Sequence, residues 1–185
     1  MTPDQSTEDW FERRRRIKEA KDRGDKEYLI GALLDPDHRG LAADCVGELR
    51  AGEASGQLIR LLDAADPQVR ISAARALGQV GAVEGLSRLR EIAKHDEDGV
   101  RSWAVGAIGA IGDPDDFELL LSLLNDPSLR VRGAAALALG RLGDSRAIEP
   151  LHAARRRLRR SPFEWYLHHK GYNKAIRKLK RGTKQ

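Results

Sequence analysis

The residues of this 185-residue chain that could do chemistry are five histidines, a single cysteine, three tryptophans, and carboxylates and arginines in recurring places. A metal centre needs imidazole, thiolate or carboxylate groups converging on one point. His38, His95 and His152 are 57 residues apart, which is not the 31-residue step at which the chain repeats, so they cannot form a ladder of equivalent ligands. With His168 and His169 they read as exposed loop or helix groups. Cys45 stands alone, which permits neither an internal disulfide nor a cysteine cage and suits a reducing compartment. There is no Gly-rich phosphate loop, no Ser-centred elbow and no paired catalytic carboxylate; the aspartates recur at corners, where they cap helices and form turns. The expectation is a protein that is not an enzyme, with no catalytic, cofactor-binding or metal-binding residues.

What remains is recognition. The net charge of +5, from 33 basic and 28 acidic side chains, is unevenly placed. Residues 147–185 hold twelve Lys and Arg against Glu149 and Glu164, a balance of +10, which leaves −5 for residues 1–146. An acidic body with a basic tail speaks of partners and long-range fields more than of fold. The opening, MTPDQSTEDWFERRRR, has no apolar signal region, and no run of about 18 apolar residues follows. A cytoplasmic protein without a membrane segment is expected.

The elements that position these groups come from the repeat. Gly47, Gly78, Gly109 and Gly140 are each 31 residues apart, as are Arg39, Arg70, Arg101 and Arg132; Gly81, Gly112 and Gly143 keep the same step, with Arg50 at that place in the first copy. Each copy has an apolar run, such as Leu58, Ile59, Leu61 and Leu62, then a corner often built on Asp-Pro, then an Ala-rich segment. Charged residues at 33% with aromatics at 5% favour helices over a sandwich or barrel. In the second copy Val69, Ala73, Ala76, Leu77 and Val80 share one helical face, which a partner helix and neighbouring copies must cover. The arginine ladder predicts pairing with corner carboxylates such as Asp35, Asp66 and Asp96, which fixes the geometry between copies.

The pattern D-P-x-V-R-x-x-A-A-x-A-L-G-x-x-G, at Asp66-Pro67 through Ala73, Ala74, Leu77, Gly78 and Gly81 and again from Val131-Arg132 through Gly143, resembles the bacterial HEAT-like repeats first associated with phycobilisome lyases. The resemblance covers about residues 25–160. It implies an all-α fold, a right-handed α-solenoid of four to five HEAT-like helical hairpins with N- and C-terminal capping helices. The parts would be a capping helix at 1–24, repeats at about 25–54, 55–84, 85–115 and 116–146 with a half repeat at 147–160, and a basic aromatic helical extension at 161–185. The family includes scaffolds, bilin lyases, DNA glycosylase-like proteins and an iron-dependent hydroxylase. The hydroxylase branch carries His-Glu pairs, and none of the histidines here is followed by Glu.

In this family the second helices line the inner surface. By the 31-residue register the lining includes Asp37, Asp44 and Glu48 in the first copy, Ser72 and Arg75 in the second, Gly99, Trp103, Gly106 and Ala110 in the third, and Arg130, Leu137 and Arg141 in the fourth. The row runs from acidic to basic, and Trp103 stands among small residues, either as a binding anchor or laid on a neighbouring helix. The leading expectation is a scaffold or adaptor that binds another protein through Trp103, Arg75, Arg130, Leu137 and Arg141, with Asp37, Asp44 and Glu48 receiving cationic groups. The alternative is nucleic-acid binding through the tail: Arg155, Arg156, Arg157, Arg159, Arg160, Trp165, Lys170, Lys174, Arg177 and Lys178 interleave cations with aromatics. The tail also suits a terminal cap, with Phe163, Tyr166 and Leu167 covering the last repeat. An accessory subunit of a bilin lyase-like enzyme is a third reading.

Overall fold

Helix start and stop signals alternate along the chain. The computed structural model, which describes residues 5–158 and 162–182 and the side chains of 9–158 and 169–182, places helices between them. After α1 (Gln5–Arg23) come five pairs. They are α2 (Lys26–Ala32) with α3 (Arg39–Glu48), α4 (Ser55–Leu61) with α5 (Pro67–Val80), α6 (Leu86–His95) with α7 (Asp98–Ile111), α8 (Phe117–Ser122) with α9 (Leu129–Leu142), and α10 (Ile148–Leu158) with α11 (Pro162–Gly182). No strand occurs among the described residues. The architecture is all-α, a solenoid of helical hairpins.

α5 shows how the repeat writes a helix. The Asp66 carboxylate accepts the Gln68 N–H at 2.8 Å, and Pro67 fills the first turn, where its missing N–H costs nothing. The helix stops at Gly81, whose φ of 76° lets the N–H groups of Gly81 and Ala82 both reach the Leu77 carbonyl. Gly112 and Gly143 end α7 and α9 in the same way, with φ of 81° and 89°. In the first hairpin Arg50 takes this left-handed place with φ 49°, a conformation that is strained for a side chain with a Cβ.

The chain divides into residues 1–88 and 89–185. In the first unit α1 packs on α2 and α3, burying Ile17 and Ala20, and α3 lies beside α5. A Cβ added at Gly47 would stand 2.8 Å from Ala76 Cα, so glycine is what lets these two helices meet. Leu58, Leu62 and Leu77 are fully buried, each contributing about 1.5–3 kcal/mol of hydrophobic stabilisation. In the second unit α7 lies beside α9 and α9 beside α11, again through glycine: a Cβ at Gly109 would stand 2.5 Å from Ala138 Cα, and one at Gly140 2.7 Å from Ala175. α11 also packs on α10, burying Tyr172, Ala175, Ile176 and Leu179. It therefore meets α9 as α9 meets α7, as the second helix of a fifth pair.

The arginine ladder serves the corners. Arg70 donates to the carbonyls of Ala64 and Ala65 at 2.9 and 3.0 Å, and Arg132 to those of Asp126 and Pro127 at 2.9 and 3.0 Å. Arg101 donates to the Asp96 carbonyl and to the Asp126 carboxylate of the next hairpin, at 3.2 and 2.8 Å. These carbonyls lie in the turns between paired helices, outside the helical hydrogen-bond ladders, so a guanidinium fork answers them directly. One expectation needs correction. His38 is not an exposed loop group: it is 2% exposed, with Nδ1 3.3 Å from Asp35 Oδ2 and Nε2 3.1 Å from the Trp10 carbonyl, because α1 folds over it. Phe11 of α1 is exposed and packs edge-on with Trp10.

Candidate functional site

The inner positions of the first unit are spent on one another. The Asp44 carboxylate of α3 pairs with the Arg75 guanidinium of α5, because the 31-residue step puts them at the same position of neighbouring helices. Glu48 receives Lys21 of α1 at 3.1 Å, and this contact holds the lysine ammonium above its ordinary pKa, chiefly through the hydrogen bond. Asp37 sits exposed in the turn before α3, where its N–H donates to Asp35 at 3.0 Å. Ser72 is buried. Of the residues expected to bind a partner here, Asp44, Glu48 and Arg75 each pair with an opposite charge on a neighbouring helix.

The second unit differs. α7 turns Trp103 outward, 42% exposed, on a floor made by Gly99, Gly106 and Ala110. Open space lies above both glycines, since a Cβ on either would meet nothing within 4 Å. On α9, Leu137 is 37% exposed, leaning toward Gly171 of α11, and Arg130 and Arg141 are exposed. Arg141 Nη1 crosses to the Gly106 carbonyl at 3.3 Å, and Lys178 Nζ of α11 reaches the Arg141 carbonyl at 3.3 Å. Three neighbouring helices thus present one surface: a ring and a leucine on a shallow floor, bordered by cations.

The tail residues separate into two groups. Arg155 donates to Asn173 Oδ1 at 2.6 Å and approaches His152 Nδ1 at 3.3 Å, while Arg157 bonds Asn125. Burial, reinforced by the Arg155 and Lys180 charges, pushes the His152 imidazole below its ordinary pKa, which suits a neutral ring accepting from Arg155. These arginines tie α10 to its neighbours. Arg156 is exposed. Arg159 and Arg160 lie outside the described residues, as do the side chains of Phe163, Trp165, Tyr166 and Leu167. Lys170, Lys174, Arg177 and Lys178 come together on one side of α11, and Arg181, which the sequence reading passed over, joins them. A simple signal existed: the four cations and Arg181 follow a helical 3–4 spacing.

Burial raises the Cys45 thiol above its ordinary pKa, so it is a packing group rather than a nucleophile. Among the described residues no three His, Cys, Asp or Glu side chains gather as metal ligands, and no helix is long and apolar enough to cross a membrane. One part-buried ion-pair cluster is structural and was not foreseen: buried Asp116 accepts Arg90 Nε at 2.6 Å, and Asp113 accepts the same guanidinium at 2.9 Å. It does not recur in the other copies, so the repeat carried no sign of it.

No curated protein matches the chain. Two solved engineered proteins, both structural-genomics targets, share its fold. One is 22% identical with a TM-score of 0.58, over 90% of this chain and 83% of its own. The other is 23% identical with a TM-score of 0.55, over 89% of this chain and 50% of its own. The family of HEAT repeats, whose fold is generally used for protein–protein interaction, matches residues 27–107 and 92–162, well over half of the sequence. With the paired helices and the glycine-mediated contacts of α3 with α5, α7 with α9 and α9 with α11, this shows that the chain belongs to the HEAT repeat family.

Proposed function

We propose that the protein is a non-enzymatic scaffold that binds another protein through the surface shared by α7, α9 and α11. The observation that supports it is the exposure of Trp103 over a floor of Gly99, Gly106 and Ala110, beside exposed Leu137. A large ring above a small-residue floor is the form of an interface anchor, and Trp with Arg are the residues that most often dominate binding energy. Arg130 and Arg141 supply a polar rim around the apolar centre. Asp44, Glu48 and Arg75 do not contribute, because their charges are engaged inside the first unit.

Affinity capture from the native host, with nuclease treatment, tests this reading. The Trp103→Ala/Arg141→Ala protein is expected to lose at least about 30-fold in affinity for the captured protein, the equivalent of a 2 kcal/mol anchor, with helicity and melting kept. Unchanged capture by that variant would reject the surface.

A further inference from the structure

The outer stripe of α11 differs in chemistry from the Trp103 face, which it borders at Lys178. The helix runs in register with its predecessors: Ala175 meets Gly140 as Ala138 meets Gly109 and Ala76 meets Gly47. On α9 the residue two places after the contacting alanine, Ala138, is Gly140, the glycine that admits α11. After Ala175 that place holds Arg177. A long cation therefore stands where a helix would otherwise dock, and the face is open to solvent: Lys170, Lys174, Arg177, Lys178 and Arg181 are all exposed.

At 100° per residue these five fall within an arc of about 100°, and they span about 16 Å along the axis. Several described arginines elsewhere pair with carboxylates, as in Arg15 with Glu12 at 2.8 Å, Arg88 with Asp63 at 2.7 Å, Arg101 with Asp126 at 2.8 Å and Arg146 with Asp144 at 2.6 Å. None of the five on α11 pairs with a carboxylate among the described residues, and Lys178 donates to a carbonyl. The groove they line has only His169 and Asn173 besides, with no apolar side chain. A protein partner would want an apolar centre there. A single strand would want rings to stack on, whereas Tyr172 is buried on the opposite side of the helix.

We propose that this stripe binds the phosphate backbone of duplex DNA, without reading its sequence. Duplex DNA carries one negative charge per about 1.7 Å of its axis, a density high enough to engage the cations along about 16 Å of a rigid rod. The contacts are to phosphate alone, which position a protein and do not specify bases.

The test is anisotropy of a labelled 20-bp DNA duplex titrated with the full chain from about 50 to 200 mM KCl. Each phosphate contact adds about 0.9 to the log–log salt slope, so Lys174→Gln/Arg177→Gln/Lys178→Gln should flatten it by about 2.7, shrinking the affinity loss across that range about 40-fold. Lys174→Arg/Lys178→Arg should keep the slope. So should Arg13→Gln/Arg15→Gln/Arg16→Gln, which removes as many charges from α1. Circular dichroism confirms that each variant is folded. No binding at 50 mM KCl, an unchanged slope in the α11 triple variant, an equal flattening by the α1 variant, or tighter binding to polyglutamate than to the duplex would each overturn the proposal.

Discussion

In residues 1–88 the second-helix face carries Asp44, Glu48 and Arg75, and each ends on an opposite charge within the unit. In residues 89–185 the same register carries Trp103, Arg130, Leu137 and Arg141, all exposed. The backbone is the same in both, with a glycine admitting the neighbouring helix. What differs is whether side chains on adjacent helices complement each other. Where they do, the face is consumed as a structural seam; where a ring and cations meet small residues, the face stays open. A repeat register thus says which residues share a surface, and the chemistry across helices says whether it is vacant.

The comparison breaks most sharply at two glycines of α7 three residues apart. Gly109→Ala should cost about 2 kcal/mol or more, because its Cβ meets the backbone of Ala138 and overpacking outweighs the better helix propensity. Gly106→Ala, over open space, should gain about 0.5–1 kcal/mol while raising the floor under Trp103. Urea denaturation of both variants measures the pair; equal effects would mean that the seam and the open face do not differ in packing.

The helix-ending corner sharpens the comparison at smaller scale. Arg50→Gly in the first unit should stabilise by about 0.5–1 kcal/mol by relieving the left-handed strain that Gly143 avoids in the second. Gly143→Ala should move stability the opposite way, by about 1 kcal/mol, in the same thermal melt.

The smallest effect is in pH. In the folded state burial raises the Asp35 carboxyl pKa, but the Asp37 N–H, His38 and Arg13 outweigh it and hold the pKa below its ordinary value. A depressed folded pKa means that Asp35 adds stability at pH above the unfolded carboxyl pKa of about 3.9, and that this is lost as pH falls through the folded value. Asp35→Asn should therefore lower stability at pH 7 and leave it little changed near pH 2, as read by denaturant midpoints at the two pH values.

Much of this was legible in the sequence. The 31-residue step of Gly and Arg gave the hairpins, the Asp-Pro corner gave the start of α5, and Gly81, Gly112 and Gly143 gave the helix ends, because each is a local rule. The Asp44–Arg75 pair was not foreseen, although both residues had been placed on one face, because reading the face position by position ignores which helices adjoin. His38 was misplaced because its burial depends on α1, which lies outside the repeat. The place of α11 beside α9 was hidden by the step from Ala138 to Ala175, 37 residues instead of 31, and by Arg177, which replaces the glycine that marks every other copy. Asp116 with Arg90 occurs once, so no periodicity could flag it.

The central claim is that the open face of the second unit, rather than the paired face of the first, is the working surface. The measurement that tests it most directly is side-by-side binding, by calorimetry, of the nuclease-resistant partner to Trp103→Ala and to Asp44→Ala/Arg75→Ala. The structure predicts at least about 30-fold weaker binding for Trp103→Ala and wild-type binding for the double variant. Wild-type binding by Trp103→Ala with loss in Asp44→Ala/Arg75→Ala, each variant folded, would contradict it.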